Sequence, residues 1–286
     1  MSKEENSRIL RREKQRTENV GRAAKMSLAR AAELNSERQL YELSDSLFVG
    51  CSGWYYWEWR DSFYAQIPRQ SWFEHYASIF NTVELNASFY SWPTVARIRS
   101  WVRQADPKEF VYCVKVPELV THIKKLDGTE ALIEDFDAVA EILGSRFGCF
   151  LYQMPPSFHY SRSRLEGIIK QLRPSRRNVV EFRHPSWWND EVYSAFNNAS
   201  IIFCSCSAPG LPAKLIRTAD DVYVRMHGPK VWYKYKYSVD ELRWWSEEIR
   251  RSGAKRAWVY FNNTYYANAP TDARAMQWML EGFGRE

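Results

Sequence analysis

The sequence predicts an α/β fold: a single TIM-like (β/α)8 barrel over residues 47–286, preceded by a basic extension over 1–46 that is helical or flexible. Three observations predict it. After the extension, eight short apolar runs rich in β-branched and aromatic residues recur along the chain. Helical patterns separate most of them, which is the alternation of parallel βα units. No Gly-rich dinucleotide fingerprint follows the first run, which counts against a doubly wound open sheet, and eight strands close a barrel. The composition supplies a large core: 45% of the 286 residues are hydrophobic and 16% aromatic, with 13 Trp.

The expected strands, in order, are 47–51, 82–85, 110–116, 148–152, 178–182, 200–205, 222–226 and 256–261. Each has the composition of a strand buried on both faces. Helical spacing is expected over 70–80, where Trp72, Phe73, Tyr76 and Phe80 recur, and over 94–104. It continues over 130–143, where Leu132, Phe136, Val139, Ala140 and Leu143 trace one stripe. Further helices are expected over 162–172, 189–197, 239–251 and 270–282. Pro209-Gly210-Leu211-Pro212, between the sixth and seventh strands, reads as a loop.

Active sites of such barrels lie where the strands end. The first strand runs into Trp54 and Trp57, candidate walls of a cleft. The second offers Glu84 and Asn86, two apart and so on one face. The third offers Lys115 and the fourth Gln153. The fifth ends in Glu181, Arg183 and His184 before Pro185, three titratable residues within four positions. The seventh offers Arg225 and His227, the eighth Asn262 and Asn263.

Glu84 and Glu181 suit acid and base roles. His184 and His227 suit proton transfer or metal binding. Lys115, Arg183 and Arg225 suit a phosphate or carboxylate. Asn262 and Asn263 suit a hydroxyl or oxyanion, and Gln153 is a further substrate contact. A plainer alternative is a structural ion cluster of Glu181, Arg183 and Arg225, with Lys115 neutralising Glu84. His75, His122 and His159 lie in helical or loop contexts and read as non-ligands.

The formal net charge is +6. Residues 8–30 hold eight Lys or Arg against Glu13 and Glu18, which is itself +6, so the remainder is neutral overall. Such an arm fits nucleic acid or another anionic surface, or is a solvated tail. Five cysteines without a CxxC spacing read as reduced and intracellular. No apolar run approaches the ~20 residues that span a bilayer, and no signal-peptide region opens the chain, so a soluble cytoplasmic protein is expected. No nucleophile elbow, P-loop or local metal-ligand spacing is present. Cofactor use is left open, a divalent metal on Glu84, Glu181, His184 and His227 included.

Ordered motifs along the chain carry a resemblance: Gly50-Cys51-Ser52-Gly53-Trp54, Phe80 to Asn86 with Ser88-Phe89-Tyr90, Lys115 with Thr121-His122, Tyr152 to Phe158, Val180 to His184 with Ser186-Trp187, Tyr223 to Gly228, and Tyr260 to Asn263. Over about 47–281 the chain resembles the DUF72 family, whose bacterial members include YecE-like proteins. The resemblance implies a TIM-like barrel and raises the standing of the matching strand-end residues as a site. It implies no reaction. Two departures stand out: Cys204-Ser205-Cys206-Ser207-Ala208-Pro209 lacks the Asp that relatives often carry there, and the extension has no counterpart in the family pattern. The expected function is a hydrolase- or phosphoesterase-like barrel enzyme with a small anionic or phosphorylated substrate. The alternatives are a nucleic-acid-binding or nucleic-acid-processing protein, and a non-catalytic barrel that binds a ligand or partner.

Overall fold

A computed structural model describes residues 3–33, 43, 46–105, 109–172 and 174–284. All eight expected strands form, with ends shifted by up to two residues. They are β1 (Leu47–Cys51), β2 (Thr82–Leu85), β3 (Val111–Lys115), β4 (Phe147–Gln153), β5 (Asn178–Glu181), β6 (Ile202–Ser207), β7 (Asp221–Met226) and β8 (Arg256–Phe261). Every strand pairs in parallel, in the order β1-β8-β7-β6-β5-β4-β3-β2. The ends of that order, β1 and β2, meet at a seam bridged by side chains. The Tyr76 hydroxyl accepts from the Cys51 amide (2.7 Å) and donates to the Thr82 carbonyl (3.0 Å). Asn81 Nδ2 donates to the Leu47 carbonyl at 2.9 Å. A TIM-like barrel results.

Successive strand residues alternate between the barrel interior and the helical shell. Toward the amino ends of the strands, Phe48 stacks on Trp258 at 4.1 Å, and the indole nitrogen donates to Asp221. Tyr223 and Tyr260 follow, with the buried thiols of Cys113, Cys149 and Cys204. Toward the carboxyl ends the filling turns ionic, with Glu84, Glu181 and Arg225. That charged layer positions the site.

The shell is built from α2 (Trp72–Ile79), α3 (Ala87–Tyr90), α4 (Val95–Ala105), α5 (Glu130–Phe136), α6 (Ala138–Leu143), α7 (Arg162–Gln171), α8 (Asp190–Ala199), α9 (Val239–Arg251) and α10 (Asn268–Met279). The helix expected over 130–143 is divided at Asp137, whose carboxylate is held by Arg176 at 2.8 and 3.2 Å. Four-residue α3 has no helical stripe long enough to be read from sequence. It is fixed instead by Ser88, whose hydroxyl reaches the Leu85 and Lys115 carbonyls at 3.0 and 2.6 Å.

Residues Lys3–Glu33 form one helix, α1, laid against the barrel. Of the expected extension, residues 1, 2, 34–42, 44 and 45 lie outside the described residues. Asn19, Ala23 and Met26 on α1 are buried. The Asn19 amide clamps the chain after α3: its Nδ2 donates to the Tyr90 carbonyl and its Oδ1 accepts from the Trp92 amide, both at 3.0 Å. Arg12 and Arg16 pair with Glu118 at 3.1 and 2.9 Å. Replacing Asn19 by Ala strands both backbone groups, and each loses a hydrogen bond worth about 1 kcal/mol. Urea unfolding of Asn19→Ala is expected to show a loss of about 1–3 kcal/mol. An unchanged midpoint would mean that α1 is not held there.

Candidate functional site at the carboxyl mouth

Arg225, near the end of β7, is the hub of the interior charges. Its Nη2 donates to Glu84 Oε1 of β2 at 2.6 Å, and its Nη1 donates to Glu181 Oε2 of β5. Glu84 also accepts from Ser52 Oγ (2.7 Å), Tyr223 Oη (2.8 Å) and Asn86 Nδ2 (3.3 Å). The second oxygen of Glu181 accepts from Arg183 Nε and lies 3.4 Å from His227 Nε2. Glu84 and Glu181 are fully buried and Arg225 is 1% exposed. Charges this deep persist only when paired and hydrogen-bonded. Burial alone would raise the Glu181 carboxyl, but Arg183 and Arg225 overcome it and hold the group well below the usual carboxylate range.

A second tier stands nearer the opening. The Arg183 guanidinium lies 4.3 Å over the Trp232 ring, and its Nη1 is 3.4 Å from Tyr233 Oη. His227 is pushed down to about 3 by burial and then by Arg183 and Arg225, so it is neutral. Asn262 Nδ2 lies 3.2 Å from His227 Nδ1. Nδ1 accepting from Asn262 Nδ2 places the ring proton on Nε2, which lies 3.4 Å from both Glu181 Oε1 and Arg183 Nη2.

Across the mouth, Lys115 Nζ donates to Gln153 Oε1 at 2.7 Å and lies 4.0 Å over the Phe89 ring. Burial first, then Arg225, lowers the amine to about 7. His122 Nε2 is 3.5 Å from Gln153 Nε2, and burial followed by Lys115 lowers the imidazole to about 4.

The structure thus gathers Glu84, Glu181, His227, Arg183, Arg225, Lys115, Gln153 and Asn262 of the expected residues. Three others stand apart. His184 turns into the chain beyond β5, where its Nδ1 accepts from the Ser186 amide at 3.2 Å and its ring stacks on His159 at 4.0 Å. Asn263, just after β8, is instead held by Tyr235 and Asp272, donating to the Tyr235 carbonyl and to the Asp272 carboxylate at 2.8 and 2.7 Å. Trp57 is exposed beside Arg60. Trp54 lies elsewhere at the mouth. It lines a cleft of about 660 Å³ with Tyr55, Tyr56, Arg69, Arg97 and Trp101, and the cleft shares Ser52 and Asn86 with the surroundings of Glu84.

Sequence reasoning passed over His122, Phe89, Trp232 and Tyr233. The Thr121-His122 and Ser88-Phe89-Tyr90 motifs were the available signal for two of them. Nothing local marks Trp232 and Tyr233, which come from the long β7–α9 connection.

A metal on Glu84, Glu181, His184 and His227 does not fit. His184 is elsewhere, and the space between the two carboxylates is filled by a guanidinium, which occupies the lone pairs a cation would need. Glu181 with Cys204 and Cys206 forms another close grouping. There too the carboxylate is taken by arginines, and burial keeps the Cys204 thiol protonated.

The balance of charge is informative. Both carboxylates are held by Arg183 and Arg225, and among the described residues Lys115 makes no ion pair. A protonated Lys115 gives this cluster a formal +1.

The family described as "Protein of unknown function DUF72" matches residues 48–285. The chain is 24% identical over 271 residues to UPF0759 protein YunF of Bacillus subtilis, covering 82% of this chain and 95% of that one. A DUF72 family crystal structure from Thermotoga maritima superposes with a TM-score of 0.74 at 30% identity, over 83% of this chain and 100% of the other. A second, from Enterococcus faecalis, gives 0.70 at 20% identity over 82% and 95%. With the family pattern covering nearly all of the barrel, this chain belongs to the DUF72 family.

Proposed function

We propose that this barrel is an enzyme that binds a small anionic substrate, a phosphate or carboxylate ester or acid, at its carboxyl mouth. One observation carries the reading: Arg183 and Arg225 pair with two carboxylates there, and a third basic side chain, Lys115, is buried nearby on Gln153 with no carboxylate partner among the described residues. A cluster built only for stability would close with charges matched, because an unpaired buried charge is costly. A bound anion completes the balance.

Hydrolysis of a phosphoester is one reaction class for such a site. The assignment of Glu181 and Glu84 as its acid and base is not favoured. Both carboxylates are engaged by Arg225, and Glu181 stays ionised. In our reading they orient Arg225 and Arg183, while Lys115 is the group that titrates near neutral pH. The nucleic-acid reading gains less support, since Arg12 and Arg16 of the basic helix are turned onto Glu118 of the barrel.

The test is a thermal shift with inorganic phosphate, pyruvate and sugar phosphates. The wild type is expected to rise by several degrees at saturating anion. Arg183→Ala, which leaves the Arg225 bridge in place, is expected to bind about tenfold more weakly, the loss of one charge-assisted contact. A wild type indifferent to every anion would sink the reading.

A further inference from the structure

Lys115, like His122 and His227, is an ionisable group of the mouth whose surroundings disfavour its charge. It is 8% exposed and hydrogen-bonded to the neutral Gln153, and the Phe89 ring face at 4.0 Å offsets only part of the cost of burying its charge. The carboxylates that face it, Glu84 and Glu181, are bound by Arg225 and Arg183, which also face it. His122, the remaining titratable neighbour, is itself uncharged near neutral pH. A lysine desolvated beside other cations is the arrangement that frees an amine lone pair for covalent chemistry.

Its placement is also fixed. Ser88 of α3 binds the Lys115 carbonyl at 2.6 Å, which ties the helix carrying Phe89 to the strand carrying the amine. Asn19 of α1 in turn holds the far end of α3. Such support is what a reacting group needs and what a mere filler does not.

We propose that Lys115 is an amine nucleophile, and that the substrate is a small aldehyde or ketone bearing a phosphate or carboxylate. This rests on the anion-site reading and adds the reacting atom to it. The Nζ lone pair attacks the carbonyl carbon, a C–N bond forms, and the C=O π pair moves to oxygen. Two protons from nitrogen leave with that oxygen as water, giving an imine. A further proton from solvent converts it to the iminium, an electron sink for the adjacent carbon.

The experiment is borohydride trapping on the full-length protein with pyruvate, glyoxylate and dihydroxyacetone phosphate, followed by peptide mapping. One reduced adduct is expected, on Lys115, absent from a folded Lys115→Met variant. Its rate of formation should rise with pH through about 7, where burial and the two arginines place the amine, instead of through the ordinary lysine value of 10.5. Protein carrying adducts only at exposed lysines such as Lys124 and Lys125, or none, overturns the proposal. The two readings fail separately. A phosphate-induced thermal shift without a Lys115 adduct leaves the anion site standing and removes the imine. An adduct that inorganic phosphate does not slow keeps the imine and removes the anion site.

Discussion

Arg225→Met is expected to destabilise the barrel by about 3–5 kcal/mol, the cost of breaking a buried ion cluster by removing one partner. Methionine fills much of the volume, so the loss is electrostatic. Glu84 would keep Ser52, Asn86 and Tyr223 as donors, and Glu181 would keep Arg183 and His227. Neither would keep the guanidinium that neutralises both. Urea unfolding at neutral pH measures the loss, and a melting midpoint lower by on the order of 10 °C should accompany it.

The same variant has a pH signature. Glu181 is held below the ordinary carboxylate value in the folded barrel. Its stabilising contribution is therefore complete above the unfolded-state value, about 4.3, and is lost as pH falls through the lower folded value. Without Arg225 the depression shrinks and the carboxylate protonates more readily. The gap between wild type and variant should be widest near neutral pH and narrow below about pH 4. A loss under about 1 kcal/mol, or a gap that widens in acid, would show that the arginine is not the clamp between the carboxylates.

Gly50→Ala is the second large effect. A β-carbon at Gly50 would lie 2.3 Å from the Thr82 carbonyl oxygen and 2.8 Å from the Tyr76 hydroxyl. The first neighbour is backbone, so relief requires moving β1 away from β2. That movement breaks the bridge by which Tyr76 joins the Cys51 amide to the Thr82 carbonyl. Overpacking in a dense core costs about 1–3 kcal/mol. Opening the seam adds the two stranded backbone groups at about 1 kcal/mol or more each. We expect a total of at least about 3 kcal/mol, read from urea unfolding, with a broadened transition. A Gly50→Ala protein with the wild-type midpoint would mean that the seam does not close as described.

The eight strands were legible because each is buried on both faces, so its run is mostly apolar and needs no partner to be recognised. The loop after β6 was equally plain from its prolines and glycine. The break at Asp137 was hidden, because the stripe from Leu132 to Leu143 continues across it and only Arg176, from a distant segment, shows why the chain bends there. Within the site, Glu181 and Arg183 were readable as a pair from their spacing of two. The expected partnership of Lys115 with Glu84 was not the one formed, since Arg225 takes Glu84.

By itself the sequence determined the strand count, the barrel class, the family resemblance and the strand ends that carry polar groups. These follow from local periodicity, which the backbone imposes within a few residues. The tertiary structure alone decided which of those groups meet. Arg225 reaches across 44 residues to Glu181 and 141 residues to Glu84, and such contacts depend on the tilt and register of closed strands. It also decided that His184, Asn263 and Trp57 stand aside, that His122 comes to the mouth, and that Lys115 is left without a carboxylate. Burial is the first cause that lowers Lys115, His122 and His227, and burial exists only once the barrel has closed.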